Sequence, residues 1–164
     1  MAQRNGWVSH ALSSHEKSLV RYARRLTGNL DAARDIVQET FLRLCRQSPG
    51  QLDGHLKEWL FTVCRNSAFD HLRKEGRMDT LDKDVAVEQA PLETLEERET
   101  QDQVAARIEA LPAKQREMVH LKFVEGLSYK QISSITGASV SNVGFILHTA
   151  IKTLREQLSP ARSD

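Results

Sequence analysis

The sequence is poor in aromatic residues, prolines and cysteines. Only 5% of its 164 residues are aromatic, so any core must rest on Leu, Val, Ile and Ala. Two cysteines, Cys45 and Cys64, make no disulfide framework, and a reducing, cytoplasmic setting is expected. No apolar run approaches the roughly 20 residues that a membrane-spanning helix needs, so no membrane insertion is expected. Met1 to Leu12 lack the basic start and apolar stretch of a secretory leader. Period-two runs that would signal strands are missing. There is no phosphate-binding glycine loop of the Walker type, no HExxH and no plausible Cys–His–Asp set, which argues against an enzyme. Cys64 and His71 lie seven apart on one predicted helix, too few ligands for a metal. Neither metal nor cofactor is expected, and both cysteines are read as small core residues.

What is present is a soluble, globular composition, 40% hydrophobic and 27% charged, with charge divided unevenly along the chain. Residues 1–78 carry 13 Lys/Arg against 8 Asp/Glu, residues 79–103 carry 2 against 9, and residues 104–164 carry 8 against 5. Two mildly basic blocks thus flank an acidic segment. Basic blocks suit a polyanion; an acidic tether between them would not lie on it.

Apolar residues recur at helical spacing. A first helix is predicted over about 12–27, closed by Gly28 as a left-handed cap. A second runs from Asn29 or Asp31 to Gln47, its stripe formed by Ile36, Val37, Phe41, Leu44 and Cys45. A loop from Pro49 to Gly54 precedes a third helix over 55–75, apolar early and basic late. An acidic linker follows, and its end, from about Leu95, starts a helix reaching Leu111. Pro112 opens another that runs to Val124. Two more are predicted over 128–135 and 139–158. The fold class is all-α: two small helical domains joined by an acidic flexible linker.

The strongest local pattern is GLSYKQISSITG followed by SVSNVGFILHTAIKTLREQL, residues 126–158. A short helix, a turn at Thr136-Gly137-Ala138 and a second helix capped by Ser139 make a helix-turn-helix. Val143, Leu147, Ala150, Leu154 and Leu158 form the buried stripe of the second helix. Ser141, Asn142, Phe145, His148, Thr149, Lys152 and Arg155 fall on its other faces, the early ones suited to base edges and the late ones to phosphates. The same pattern also fits an ordinary helical hairpin in a bundle.

These residues resemble region 4 of a bacterial sigma factor of the extracytoplasmic-function group of the sigma-70 family, as does the preceding LPAKQREMVHLKFVEG (111–126). DIVQETFLRL (35–44) is similar to region 2.2, and EWLFTVCRNSAFDHLRKEGR (58–77) to regions 2.3 and 2.4. The resemblance implies a region 2 bundle over 10–78, an acidic linker over 79–103 and region 4 over 104–159. It implies promoter-specific transcription initiation with core RNA polymerase and promoter DNA as partners and an anti-sigma factor as a possible one. Asp35, Gln38 and Glu39 match the polar positions of the polymerase-docking helix, and such a turn suits an Arg-rich surface. For the −10 element the matching residues are Asn66, Asp70, Arg73, Lys74 and Arg77, at spacings that share one helix face. Asn66 matches a position that helps hold a base extruded from the non-template strand. For the −35 element they are Lys130, Ser141, Asn142, Phe145, His148, Lys152 and Arg155. The family carries an aromatic for packing where Trp59 stands.

Two stretches depart from the family pattern. Gly144, Ile146, Thr149 and Ile151 occupy positions usually basic, and each lost phosphate contact weakens affinity. Pro49 to Gly54 replaces an Arg-Gly-Asp-Ser-like loop, so no −10 preference carries over. A sigma-like decoy that binds an anti-sigma factor or polymerase without reading promoters is one alternative. A stand-alone helix-turn-helix repressor is another, but it leaves residues 29–77 without a task. The acidic linker is either an RNA mimic lying in the path of the transcript or a solubilising tether. Reversing several of its acidic charges and measuring abortive transcripts separates the two: a mimic gives an altered abortive yield, a tether an unchanged one.

Overall fold

The computed structural model describes residues 2–76 and 99–158. Its helices are α1 (Ala2–Thr27), α2 (Leu30–Leu44), α3 (Leu56–Lys74), α4 (Glu99–Glu109), α5 (Ala113–Val119), α6 (Tyr129–Thr136) and α7 (Val140–Leu158). A 3-10 turn, Pro49–Leu52, lies between α2 and α3, and a π-helical turn, His120–Val124, continues α5. No strand occurs among the described residues. Two units follow, one built on α1, α2 and α3, the other on α4, α5 and α7 with α6 leading into α7.

In the first unit the three helices pack on one another pairwise. The helix-to-helix join is set by local chemistry. Gly28 takes the left-handed φ of 72° expected of a closing glycine, and its N–H bonds to Arg24 O at 2.7 Å. Asn29 then caps α2, its side-chain oxygen accepting from Ala32 N at 3.1 Å. The core is made by Leu19, Tyr22 and Ala23 of α1, Ala33, Val37 and Leu44 of α2, and Leu60, Phe61, Cys64, Ala68 and Leu72 of α3, all buried. The rings of Tyr22 and Phe61 stand 5.2 Å apart at 48°, a tilted geometry that aromatic pairs favour.

Three expectations need correction. Helix α1 begins at Ala2, about ten residues before the predicted start. Cys45 is exposed rather than a core residue: it is the C-cap of α2, still helical in its backbone, and stands about 100° round from the buried Leu44, on the solvent side. Trp59 is only half-buried; the neighbouring Phe61, 0% exposed, is the core aromatic of α3. Two positions along a helix rotate a side chain by about 200°, which sets the two rings on nearly opposite faces.

In the second unit α7 packs against α5 and α4. Val143, Leu147 and Ala150 are buried as predicted, Leu154 is half-buried and Leu158 is exposed, so the stripe fades over the last two turns. Leu111, Met118, Val119, Leu121, Leu127 and Ile132 are buried as well. His120 and Glu125 are buried together, Nε2 to Oε1 at 3.2 Å with both side chains 2% exposed. The π turn that carries them closes with Glu125 N–H on His120 O, a pairing that no sequence spacing announces.

Phe61→Ala removes the ring at the centre of the first unit and is expected to cost about 3–5 kcal/mol, read as a lowered denaturant midpoint. Gly144→Ala has the opposite sign. A Cβ at Gly144 meets Tyr129 Cε2 at 3.5 Å, an ordinary contact, so the helix gains up to about 1 kcal/mol and the melting temperature rises.

Candidate functional site

In the first unit the buried stripe of α3 decides which way its polar residues face. Leu60, Cys64, Ala68 and Leu72 are buried, so Asn66, Asp70, Arg73 and Lys74, on the opposite side of the helix, are exposed. Four of the five residues predicted for −10 contact therefore form one solvent-facing surface; Arg77 lies outside the described residues. Arg73 Nη1 reaches Asp70 Oδ1 at 3.0 Å. Both groups are exposed, and such pairs contribute at most about 1 kcal/mol, so the pair does little to fix Arg73. Arg65 lies over the ring of Phe69, 4.1 Å from its centroid.

On α2, Asp35, Gln38 and Glu39 are all exposed, while Ile36, Val37 and Thr40 between and after them are buried. Glu39 Oε1 accepts from Arg43 Nε at 3.3 Å. The packing of α2 on α3 also does something that neither helix predicts alone. Asp35 and Glu39 of α2 line the same cleft of about 300 Å³ as Asp70, His71 and Lys74 of α3. Residues matched to two different partners thus border one groove. Arg43 lines it too, so the rim carries mixed charge, and His71 Nε2 is 3.1 Å from Glu75 Oε1.

In the second unit, helix α6 begins with a capping box beyond the expectations above, although Ser128-x-x-Gln131 spells it. Ser128 N donates to Gln131 Oε1 at 2.9 Å, and Gln131 N donates to Ser128 Oγ at 3.1 Å. Gly137, at φ 80°, makes the turn. Ser139 Oγ then accepts from Asn142 N at 3.1 Å, the cap predicted for α7. Lys130, Ser141, Asn142, Phe145, His148, Lys152 and Arg155 are all exposed. The ring of Tyr129 lies against α7 beside Gly144, with Lys122 Nζ 5.3 Å from its centroid.

Comparison with known proteins decides the family. Residues 11–78 match the model of Sigma-70 region 2, and residues 101–154 match that of Sigma-70, region 4. The ECF RNA polymerase sigma factor SigL of Mycobacterium tuberculosis is 31% identical over 146 residues, 86% of this chain and 82% of that protein. The chain belongs to the extracytoplasmic-function group of the sigma-70 family. SigE of Mycolicibacterium smegmatis, also an ECF RNA polymerase sigma factor, is 30% identical over 156 residues. That match takes in 92% of this chain but 61% of SigE. SigM of Bacillus subtilis is 28% identical, and 93% of its length is covered. A solved structure of the sigma factor RpoE from Bartonella quintana, in complex with the anti-sigma factor NepR, superposes with a TM-score of 0.63 at 29% identity. It covers 92% of this chain and 95% of RpoE. No described helix of this sigma factor is long and apolar enough to cross a membrane.

The two cysteines of this sigma factor differ in chemistry. Cys64 lies in the core with its Sγ 3.8 Å from Leu19 O, and burial pushes its thiol pKa up to about 12. Cys45 is exposed. A thiol reagent at neutral pH is expected to label Cys45 promptly and Cys64 only as the bundle unfolds, which mass spectrometry of a labelling time course checks. Prompt labelling of both would contradict the buried position of Cys64.

Proposed function

We propose that this chain directs promoter-specific initiation as the sigma subunit of RNA polymerase, with the work divided between region 2 over 10–78 and region 4 over 104–159. Asp35, Gln38 and Glu39 dock α2 on the polymerase. Asn66 holds an extruded base of the −10 element, since an amide donates and accepts at once. Arg73, Lys74 and Arg77 hold phosphates beside it. Extruding a base costs a few kcal/mol, which the pocket and the phosphate contacts offset. In region 4, the early residues of α7 meet −35 base edges, and Lys130, Lys152 and Arg155 meet its phosphates. No nucleotide hydrolysis by the chain is called for; binding energy alone opens the duplex. The observation that carries this reading is the outward surface of Asn66, Asp70, Arg73 and Lys74 on α3, in a chain that matches regions 2 and 4 in order.

A second reading, a decoy that binds polymerase or an anti-sigma factor without reading promoters, draws on one observation. There is no Lys or Arg from Val140 to Ile151. Run-off transcription from a promoter library, with core polymerase in the presence and absence of the chain, separates the two. Transcription gained supports initiation; polymerase binding without transcription supports the decoy. On the first reading each unit alone binds weakly and tethering to one polymerase supplies effective concentration. The free chain is therefore expected to bind duplex promoter poorly and the holoenzyme tightly. Tight sequence-specific binding by the free chain points instead to a repressor. Asn66→Ala is expected to lower open-complex formation at least tenfold while leaving polymerase affinity unchanged, as a filter-binding and competition assay reads.

A further inference from the structure

The side chains exposed on the first three turns of α7 are of a restricted kind. They are Val140, Ser141, Asn142, Phe145 and His148. Bidentate recognition of guanine calls for Arg or Lys, and recognition of the cytosine amino group calls for Asp or Glu; this surface offers neither. Lys152 is twelve residues beyond Val140, which at the helical rise is about 18 Å along the axis. With the start of α7 seated in a major groove about 12 Å wide, Lys152 and Arg155 are at the phosphates.

What the surface does offer fits A·T pairs. An Asn amide pairs bidentately with adenine N6 and N7, and apolar side chains meet the thymine methyl. Asn142 and Phe145 are one turn apart on one face, a spacing of adjoining base pairs. Phe145 is 70% exposed and Val140 47%, with Phe145 the most exposed large apolar side chain among the described residues. Its ring therefore retains most of its apolar area for burial on binding. Ser141 serves any base, and the His148 ring makes no bidentate contact that singles out one base pair. The backbone is fixed for this presentation: Ser139 caps the first turn, and Thr149 Oγ1 donates back to Phe145 O at 2.9 Å.

We infer that α7 reads adjoining A·T pairs in the −35 element, with Asn142 on adenine and Phe145 and Val140 on thymine methyls, and without a guanine contact from an Arg or Lys. The inference rests on the proposed role of α7 in −35 binding and specifies what that helix reads.

The test uses holoenzyme and a promoter library with a fixed −10 element and a randomised −35 element. Enrichment of A·T pairs at two or more adjoining positions is expected. Thymines at those positions are then replaced by deoxyuridine, which removes the methyl group alone. With one thymine replaced at a time, burial of one methyl predicts about a fourfold loss of promoter affinity for the native chain; in Phe145→Ala, whose exposed side chain can be removed without loss of fold, that loss vanishes at the thymine Phe145 meets and persists at the one Val140 meets. Enrichment of G·C pairs, indifference to the −35 sequence, or equal deoxyuridine effects in the native chain and Phe145→Ala each overturn the inference while leaving initiation standing. Failure of every library member to initiate overturns the initiation reading together with it.

Discussion

The rotation of α3 about its own axis is the constraint on which the rest of the first unit depends. Leu60, Phe61, Cys64, Ala68 and Leu72 lock that rotation against α1 and α2. Close packing of that face leaves the helix no alternative rotation, so the direction in which Asn66, Asp70, Arg73 and Lys74 leave it is fixed in advance. A base-trapping amide is useful only if preorganised, because the cost of extruding the base is not recovered by a side chain that must first be ordered. On the proposed reading, the Tyr22–Phe61 ring contact thus supports the −10 surface, although neither residue faces solvent.

Much of this was legible in the chain. The glycine that closes α1, the cap of α7 and the inward positions Val143, Leu147 and Ala150 follow from local chemistry and a helical period, which the structure repeats. What failed did so for identifiable reasons. The early start of α1 has no sequence cap to announce it, and its first turns are polar. Cys45 lies at the edge of the apolar stripe of α2 and caps its end, where no further turn covers it. Trp59 and Phe61 were separable only by knowing which face of α3 meets Tyr22. The π turn at 120–124 shifts the register by one residue, and with it brings the buried His120 and Glu125 together; spacing rules built on 3.6 residues per turn have no means to find such a pair. The acidic segment 79–98 and Arg77 lie outside the described residues.

The cleft between α2 and α3 was beyond a residue-by-residue reading for a different reason. Asp35 and Glu39 are more than thirty residues from Asp70 and Lys74, and only helix packing makes them neighbours. The proximity has an electrostatic consequence. Asp35, Glu39 and Asp70 share the groove with Arg43 and Lys74, so on the proposed reading a strand's phosphates are drawn to the two cations and repelled by the carboxylates. Mixed charge on one groove orients a strand more than it holds it, since attraction and repulsion partly cancel in total while their gradient remains.

The second unit carries the complementary argument about affinity. Lys130, Lys152 and Arg155 are the cations proposed for −35 phosphates. Three neutralised phosphates give a salt dependence of about the inverse third power, shallow for a duplex-binding module. Holding duplex DNA at physiological salt is thus beyond region 4 unaided, and the shortfall falls to the polymerase tether, whose effective concentration replaces contacts the helix lacks. Discrimination need not fall with affinity. Phosphate contacts add equally to every sequence, whereas an amide on adenine or a ring on a methyl group adds to one. A helix thinned of Lys and Arg gives up non-specific binding first, and what remains on its exposed face is the part that distinguishes one base pair from another.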